Sequence, residues 1–504
     1  MILINHGIFS FGKTAKESYL RMINLVNIAE KRLKRKINLK FENEAIFDNP
    51  SNTILPYIRC LISKKSTKYC DKNKWVFEVR NNKSINEILN KKNLASLVKL
   101  GVATPDHVIR TKSNPLLLTP FSFDDKIQAK NMSKWVEQTE FLLDQYIYEY
   151  EKYFDRNSKL SPDRKEQLDP IPRLNLIPKL GLIGIGFDKK SAKVAADIGQ
   201  AWIETVLSAI SIGTFSPVGE KDTFDLEYWS LEQAKLGKKN GANLSGFIVA
   251  ITGAGGVIGS QIAKKFKQAG AEIIALDLNK NAAEETANSL SGVNLAIGCD
   301  MTKSKEVEEA FKKIVMEFGG LDILISNAGA AWESSISKMK EDIFRKSLEI
   351  NLFSHYYASQ KAIEIFHAQD FAGKQKDQIM GGQILFNISK QALNPGPNFG
   401  SYGIAKAALL ALMRQISLEE GINKIRSNGI NADRIKSGLL NPEMIKKRAK
   451  SRGITEDAYI KGNLLKTEVL AEDVANAFLA LAKLEKTTGA LLTVDGGNIA
   501  AMVR

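Results

Sequence analysis

Cysteine is nearly missing from this chain, with three in 504 residues. Cys60, Cys70 and Cys299 are odd in number and share no metal-ligand spacing. That excludes a disulfide framework and fits reduced thiols in the cytoplasm. Long apolar runs are absent too: no stretch reaches the ~20 residues that cross a bilayer, so no membrane partner is expected. The opening MILINHGIFSF lacks a basic n-region and a small-residue cleavage site, and no export signal is read there. Acidic residues run short of basic ones, giving a net charge of +15. Most of the excess lies before residue 245, with 39 basic against 28 acidic side chains. No nucleic-acid-binding signature accompanies it, and charge alone speaks to solubility rather than to a partner, so none of that kind is expected. The hydrophobic share of 44% and charged share of 25% are those of an ordinary globular protein, and the length suggests two to four domains.

The first half is mixed. Residues 14–36 read as a helix, with Thr14 and Glu17 as a capping box and Tyr19, Ile23, Val26 and Leu33 as its apolar stripe. A strand is expected near Trp75–Arg80, a short helix from Ser84, and a long helix over about 133–154 with Trp135, Leu142, Tyr146 and Tyr150 as core. GIFSFGKTAK from Gly7 recurs weakly as GLIGIGFDKK from Gly181, two strand-turn-helix units in which Leu180 stands where the first copy has His6. The polar stretch 231–245 marks a boundary, dividing the chain into 1–244 and 245–504. Beyond it the pattern alternates strand and helix: FIVAIT, EIIALDL, LDILISN, GGQILFNIS, IRSNGINA and ALLTVDG, with a further strand before Cys299. This predicts an α/β fold, a Rossmann-type doubly wound parallel sheet with helices on both faces.

The chemistry gathers in NISKQALNPGPNFGSYGIAK, residues 387–406. Tyr402 and Lys406 stand at i and i+4 on a predicted helix, hence on one face. An ammonium one turn away is expected to favour the phenolate and lower the Tyr402 pKa. Ser389 is placed to orient the hydroxyl whose proton that base takes. Upstream, Thr252-Gly-Ala-Gly-Gly-Val-Ile-Gly259 follows a strand and opens a helix. Gly253, Gly256 and Gly259, with Ile258 among them, let the chain turn and the backbone approach a pyrophosphate at a helix N-terminus. Asp277 ends the next strand, where a carboxylate accepts the adenosine ribose hydroxyls of NAD and repels a 2′-phosphate. Asp300 and Met301 follow the third strand within reach of an adenine. Asn327, Ala328 and Gly329 end the fourth, where the chain must pass a cofactor closely. Asn351 lies in EINLF on the following helix.

Together TGAGGVIG, Asp277, CDM, NAG, Asn351, Ser389, YGIAK and TVDGG make residues 246–504 resemble a short-chain dehydrogenase/reductase. The resemblance implies Tyr402 as general acid or base, Lys406 as its tuner and a ligand of the nicotinamide ribose, Ser389 as orienter of the substrate oxygen, and Asn351 as holder of a relay water. It also implies Ile435 and Ser437 as carboxamide contacts. Lys390 departs from the family in standing where a second serine is common, as does Ala432-Asp433 in place of Pro-Gly. With NHGIFSFGKTAK, PDHVIRTK and FDLEYWSLEQAKL, the whole chain resembles the bifunctional rhamnulose-1-phosphate aldolase/short-chain dehydrogenase family. Residues 1–244 then correspond to a class II aldolase/adducin-like region truncated at its start, its second unit degenerate. That implies an NAD-dependent oxidoreductase of a small hydroxy-carbonyl compound such as lactaldehyde, working as a homo-oligomer. The alternative is a zinc-dependent sugar-phosphate aldolase with an incomplete metal site. A catalytic zinc needs about three protein ligands. Of His6, His107, His355 and His367 only His6 falls in the matching segment and no HxH pair occurs, so no metal ligand is assigned and no aldol cleavage is expected.

Overall fold

The computed structural model describes residues 1–3, 7–34, 54–70, 74–121, 128–236, 243–370 and 381–498. His6 lies outside them, as does the basic run beyond Lys34. The chain divides into two compact units, one formed by 1–54 with 61–240, the other by 55–60 with 241–504.

The second unit is built on seven parallel strands: β1 (Ile248–Thr252), β2 (Glu272–Asp277), β3 (Leu295–Gly298), β4 (Ile323–Ser326), β5 (Gly382–Asn387), β6 (Ile425–Ala432) and β7 (Leu491–Val494). Their order is β3-β2-β1-β4-β5-β6-β7, all pairs in parallel register. The reason is legible in β1 and β4: every residue of IVAIT and ILIS is buried, as expected of strands covered on both faces. On one face the helices Val257–Gln268 and Ala471–Lys483 bring Ile262, Phe266, Val474 and Phe478 onto Val249, Ile251 and Ile273. Each such side chain contributes about 1.5–3 kcal/mol on full burial. Helices Ser354–Asp370 and Gly400–Glu420 pack on the sheet as well, and Ser304–Phe318 packs against Ser354–Asp370. The order reverses between β1 and β4, and in open α/β sheets ligands bind beyond the strand ends at such a switch point.

One buried ion pair in this unit has no counterpart in the sequence reading. Asp322, just before β4, accepts from Ile248 N at 2.8 Å and is paired with Arg59 at 2.7 Å, both side chains almost wholly buried. Arg59 sits on the segment Leu55–Cys60, far outside 245–504.

The first unit holds a four-stranded sheet in the order Val76–Arg80, Gly181–Gly186, Leu174–Ile177, Leu116–Leu117, antiparallel except at the last pair. Helix Lys189–Ile212 lies on it, capped by Asp188 accepting from Ser191 N at 2.7 Å. It packs so closely that a Cβ at Gly184 would strike the helix backbone at Ala192. The long helix spans Gln128–Ser158, four residues further at its end than expected. Trp135 and Tyr150 are buried on it, whereas Leu142 and Tyr146 are only half-buried. The first helix is Ala15–Lys34. Thr14 accepts from Glu17 N, but Glu17 reaches back to Lys13 N at 2.7 Å rather than to Thr14. Its apolar stripe is open: Tyr19, Ile23 and Val26 are all exposed. Cys60 and Cys299 are buried and Cys70 is half-buried. Among the described residues no helix is long and apolar enough to cross a membrane, and no group of three metal-ligating side chains occurs.

Candidate active site

A cavity of about 1080 Å³ opens at the carboxyl ends of β1 to β6. Its wall includes Gly253, Gly256, Ile258, Gly259, Asp277, Asp300, Met301, Asn327, Ala328, Gly329, Ser389, Tyr402, Lys406, Ile435 and Ser437. Of the site residues expected from the sequence, Asn351 alone is not part of that wall.

At one end the β1 turn needs its glycines. Gly253 has φ +64°, and a Cβ there would sit 3.0 Å from Ala328 Cα. A Cβ at Gly259 would run into the Gly253 carbonyl. Helix Val257–Gln268 begins at Gly256 with no side-chain cap, so its first N–H groups and positive dipole end face the cavity, an arrangement suited to an anion. Asp277 at the end of β2 accepts from Gly255 N and Asn279 N, each at 2.9 Å, and so fixes the turn as well as lining the site. Asp300 accepts from Thr302 N at 3.1 Å and Thr302 Oγ1 at 2.7 Å. Burial raises its pKa, and the Thr302 bonds with Lys303 overcome that and hold it below the ordinary value.

In the middle, the loop after β4 is pinned from behind. Thr252 Oγ1 accepts from Asn327 N and Ala328 N at 2.9 and 3.1 Å, while Asn387 Nδ2 donates to Asn327 Oδ1 at 2.9 Å. His355, fully buried, holds Ser326 Oγ at 2.6 Å through Nδ1, and burial keeps its imidazole neutral. His367 is a surface residue beside Glu420, and His107 is half-buried. Asn351 lies in one π-helical turn, Glu349–Phe353, a local widening found at functional sites. Its Nδ2 donates to Ala330 O at 2.7 Å, and its Oδ1 lies 3.1 Å from where a Gly329 Cβ would stand.

At the other end helix Gly400–Glu420 presents Tyr402 and Lys406 on one face. Tyr402 is hydrogen-bonded to Ser389. Lys406 Nζ donates to Asn387 O at 2.8 Å and lies 5.8 Å from the Tyr402 ring centre. The electrostatics run against the expectation of a lowered phenol. Burial pushes Tyr402 up to about 12, with Ser389 opposing and Asp433 adding to the rise. Burial also brings Lys406 down to about 7. Both groups lose water, and dry surroundings favour the neutral form of each. Asp433, in place of the family's glycine, approaches Lys390 at 3.6 Å and Arg434 Nε at 3.5 Å. Sequence reasoning missed Thr252 and Asn387, though both lie inside the stretches it quoted. It also missed Trp332, Phe399 and Arg448, which no spacing announces.

Residues 253–498 match the family described as enoyl-(acyl carrier protein) reductase, and residues 49–236 match aldolase class II, second domain. The 7alpha-hydroxysteroid dehydrogenase of Escherichia coli K12 is 31% identical over 266 residues, covering 51% of this chain and 95% of that protein. Short-chain dehydrogenase reductase 5 of Arabidopsis thaliana is 34% identical, over 51% of this chain and 96% of its own length. The chain belongs to the short-chain dehydrogenase/reductase family. Its second unit is thus an oxidoreductase of the short-chain dehydrogenase type, joined to an aldolase class II domain. An uncharacterized oxidoreductase of Bacillus subtilis, YuxG, is similar across both parts, 28% identical over all of this chain and 73% of that protein.

Proposed function

We propose that this short-chain dehydrogenase uses a nicotinamide cofactor, NAD in preference to NADP, to interconvert a small hydroxy compound and its carbonyl. The observation that carries the reading is the Ser389–Tyr402–Lys406 group at one end of a single cavity whose other end is the uncapped helix and Asp277. The residues fit such a cofactor. Gly256–Gly259 suit its pyrophosphate, Asp277 its adenosine ribose, Asp300 and Met301 its adenine, and Lys406 its second ribose. Ile435 and Ser437 suit its carboxamide. When bound it supplies a hydride acceptor at nicotinamide C4. The chain's own residues handle the proton. Tyr402 exchanges it with the substrate oxygen, Ser389 orients that oxygen, and Lys406 with Asn351 offers the way onward.

The family resemblance favours a small sugar-derived substrate of the lactaldehyde kind. Oxidation of an aldehyde proceeds in this site through its hydrate, which presents the carbinol that Tyr402 needs. The same reading makes the protein a cytoplasmic homo-oligomer. A lyase reading rests on the aldolase class II match of residues 49–236 alone, and no side-chain constellation among the described residues adds to it. The test is a screen of small hydroxyaldehydes, polyols and hydroxy acids with NAD and with NADP, read as NADH or NADPH absorbance. Turnover that Tyr402→Phe abolishes is the expected result. Turnover that survives it assigns the chemistry elsewhere.

A further inference from the structure

The substrate end of the cavity carries a guanidinium that no part of the reaction above uses. Arg448 projects from helix Pro442–Ser451, which buries Ile445 and Ala449 in a small core with Leu440, Tyr459 and Ile460. That leaves Met444 and Arg448 on the cavity wall. The guanidinium carbon lies 4.2 Å from the centre of the Phe399 ring, and Phe399 meets Tyr402 edge-on at 6.4 Å. Phe399 is therefore the common neighbour of the catalytic phenol and the cation.

The bonds of Arg448 are weak for a side chain with five donors. Nη1 reaches Tyr459 OH at 3.1 Å. Nε and Nη2 both point at one oxygen, Glu333 Oε1, each at 3.4 Å, well beyond the ~2.7–2.9 Å of a good charge-assisted bond. The other Glu333 oxygen is held by Lys447 at 2.8 Å. Lys447 and Arg448 together outweigh burial and keep the Glu333 carboxyl below its usual range. The guanidinium fork is thus not matched by a second acid oxygen. Only 20% of the side chain is exposed, so a charge meeting it does so in partly dry surroundings. Lys346 lines the same space, 5.5 Å from the Trp332 ring centre, with no ion-pair partner among the described residues. Glu349 is the acid on this wall, one turn along. Asp433, at the nicotinamide end, is turned to Lys390, Arg434 and Asn498.

We propose that Arg448 recognises an acidic group, a carboxylate or a phosphate, carried by the substrate a few carbons from the carbon that Tyr402 serves. The proposal rests on the dehydrogenase reading for its placement of the reacting carbon. Hydrogen bonds to a charged group contribute about 1.5–3 kcal/mol, so an acid should bind roughly ten to a hundred times more tightly than its neutral counterpart.

The experiment measures binding, by calorimetry, of matched pairs to the full chain with NADH: 4-hydroxybutyrate against 4-hydroxybutyramide, and glycerol 3-phosphate against glycerol. The acid of at least one pair should win by about tenfold or more in the native protein. The winning pair tells carboxylate from phosphate. Arg448→Gln should erase the difference, and Glu333→Gln, which frees the guanidinium, should widen it. Acids that bind no better than their neutral partners, or fail to bind at all, overturn the proposal. So do two variants that weaken acid binding alike, the result expected if Arg448 and Glu333 merely brace the helix. The same titrations in Tyr402→Phe separate the two readings. Acid preference that persists while Tyr402→Phe still turns over substrate sinks the dehydrogenase assignment and leaves the acid site standing.

Discussion

Each unit buries a lysine beside a tyrosine, and the two pairs have opposite surroundings. In the first unit Lys112 donates to Tyr150 OH at 2.9 Å and to Glu227 at 3.2 Å, and Tyr150 donates to the same carboxylate at 2.7 Å. Tyr228 OH closes the group at 2.9 Å, with Tyr153 and Phe224 packed around it. The space beside Lys112 is about 10 Å³, room for about one water at most. In the second unit Lys406 has a backbone carbonyl and no carboxylate, and Tyr402 has Ser389. A cavity of about 1080 Å³ lies in front of both. Tyr150 and Tyr402 are both held above the usual phenol range by burial. A displaced pKa therefore does not mark a site. What marks it is a buried lysine with no carboxylate partner among the described residues, facing space that a ligand can fill.

The comparison breaks first on turnover. Tyr402→Phe should lower kcat by about 10²–10⁴-fold while leaving cofactor affinity nearly intact, whereas Tyr150→Phe should leave kcat unchanged and cost stability. Steady-state rates beside cofactor titrations decide it, and a Tyr402→Phe enzyme with more than half of native kcat would end the assignment. Second in size is Lys112→Met. It strands Glu227, whose side chain is fully buried, and breaking such a pair costs about 3–5 kcal/mol. A denaturation curve of the first unit, followed through its tyrosines, should show the loss.

The pH dependence should separate the pairs next. Lys406 is lowered from 10.5 to about 7 in the fold, so between those values the unfolded chain binds the extra proton. Stability owed to this group therefore rises with pH across that window and is flat below it. Lys406→Met should remove the slope and stabilise the protein at neutral pH by up to a few kcal/mol, while damaging cofactor binding. Melting temperatures from pH 6 to 10 check this, and an unchanged slope would show that Lys406 is not the titrating group. The smallest effect concerns Asp277. Two charges ~4 Å apart at an effective dielectric of ~20 repel by about 4 kcal/mol as an upper figure. Asp277→Asn should recover part of that for NADP, narrowing the ratio of the two cofactors' Kd values by about tenfold. Equal affinities in the native enzyme would mean that Asp277 does not meet the ribose.

The sequence was most legible where one local pattern carries the structure. β1 and β4 are short apolar runs ended by Thr252-Gly253 and Asn327-Ala328-Gly329, and strand, turn and cavity edge all follow from them. Gly253, Asn327, Ala328 and Gly329, which line the cavity, came from these stretches. What stayed hidden depends on distance or burial. Helix Pro442–Ser451 drew no reading from the sequence, and nothing local in the charged run PEMIKKRAKS says that Arg448 packs over Phe399. Asn351 was named through the family resemblance, but nothing local announces the π-helical turn that buries it completely. Adjacency of Tyr402 and Lys406 was visible, but the sign of their pKa shifts was not, because burial outweighs the neighbour and only the fold gives burial. In the first helix the error ran the other way, for an apolar stripe there remains exposed.

The pairing of Arg59 with Asp322 has a consequence for the order in which the molecule is made. The two residues are 263 positions apart, and Leu55–Cys60 is synthesised before any strand of the parallel sheet exists. During elongation that segment is an early part waiting for its place. Its guanidinium stays hydrated until β4 has emerged, when a contact of very long sequence separation closes the start of the sheet's central strand. Such contacts are slow to find, so the dehydrogenase finishes folding late and needs a piece from the front of the chain. A polypeptide begun at residue 245 would lack it and bury Asp322 without its cation. The dehydrogenase unit is therefore not a module that a cut at residue 245 would release whole.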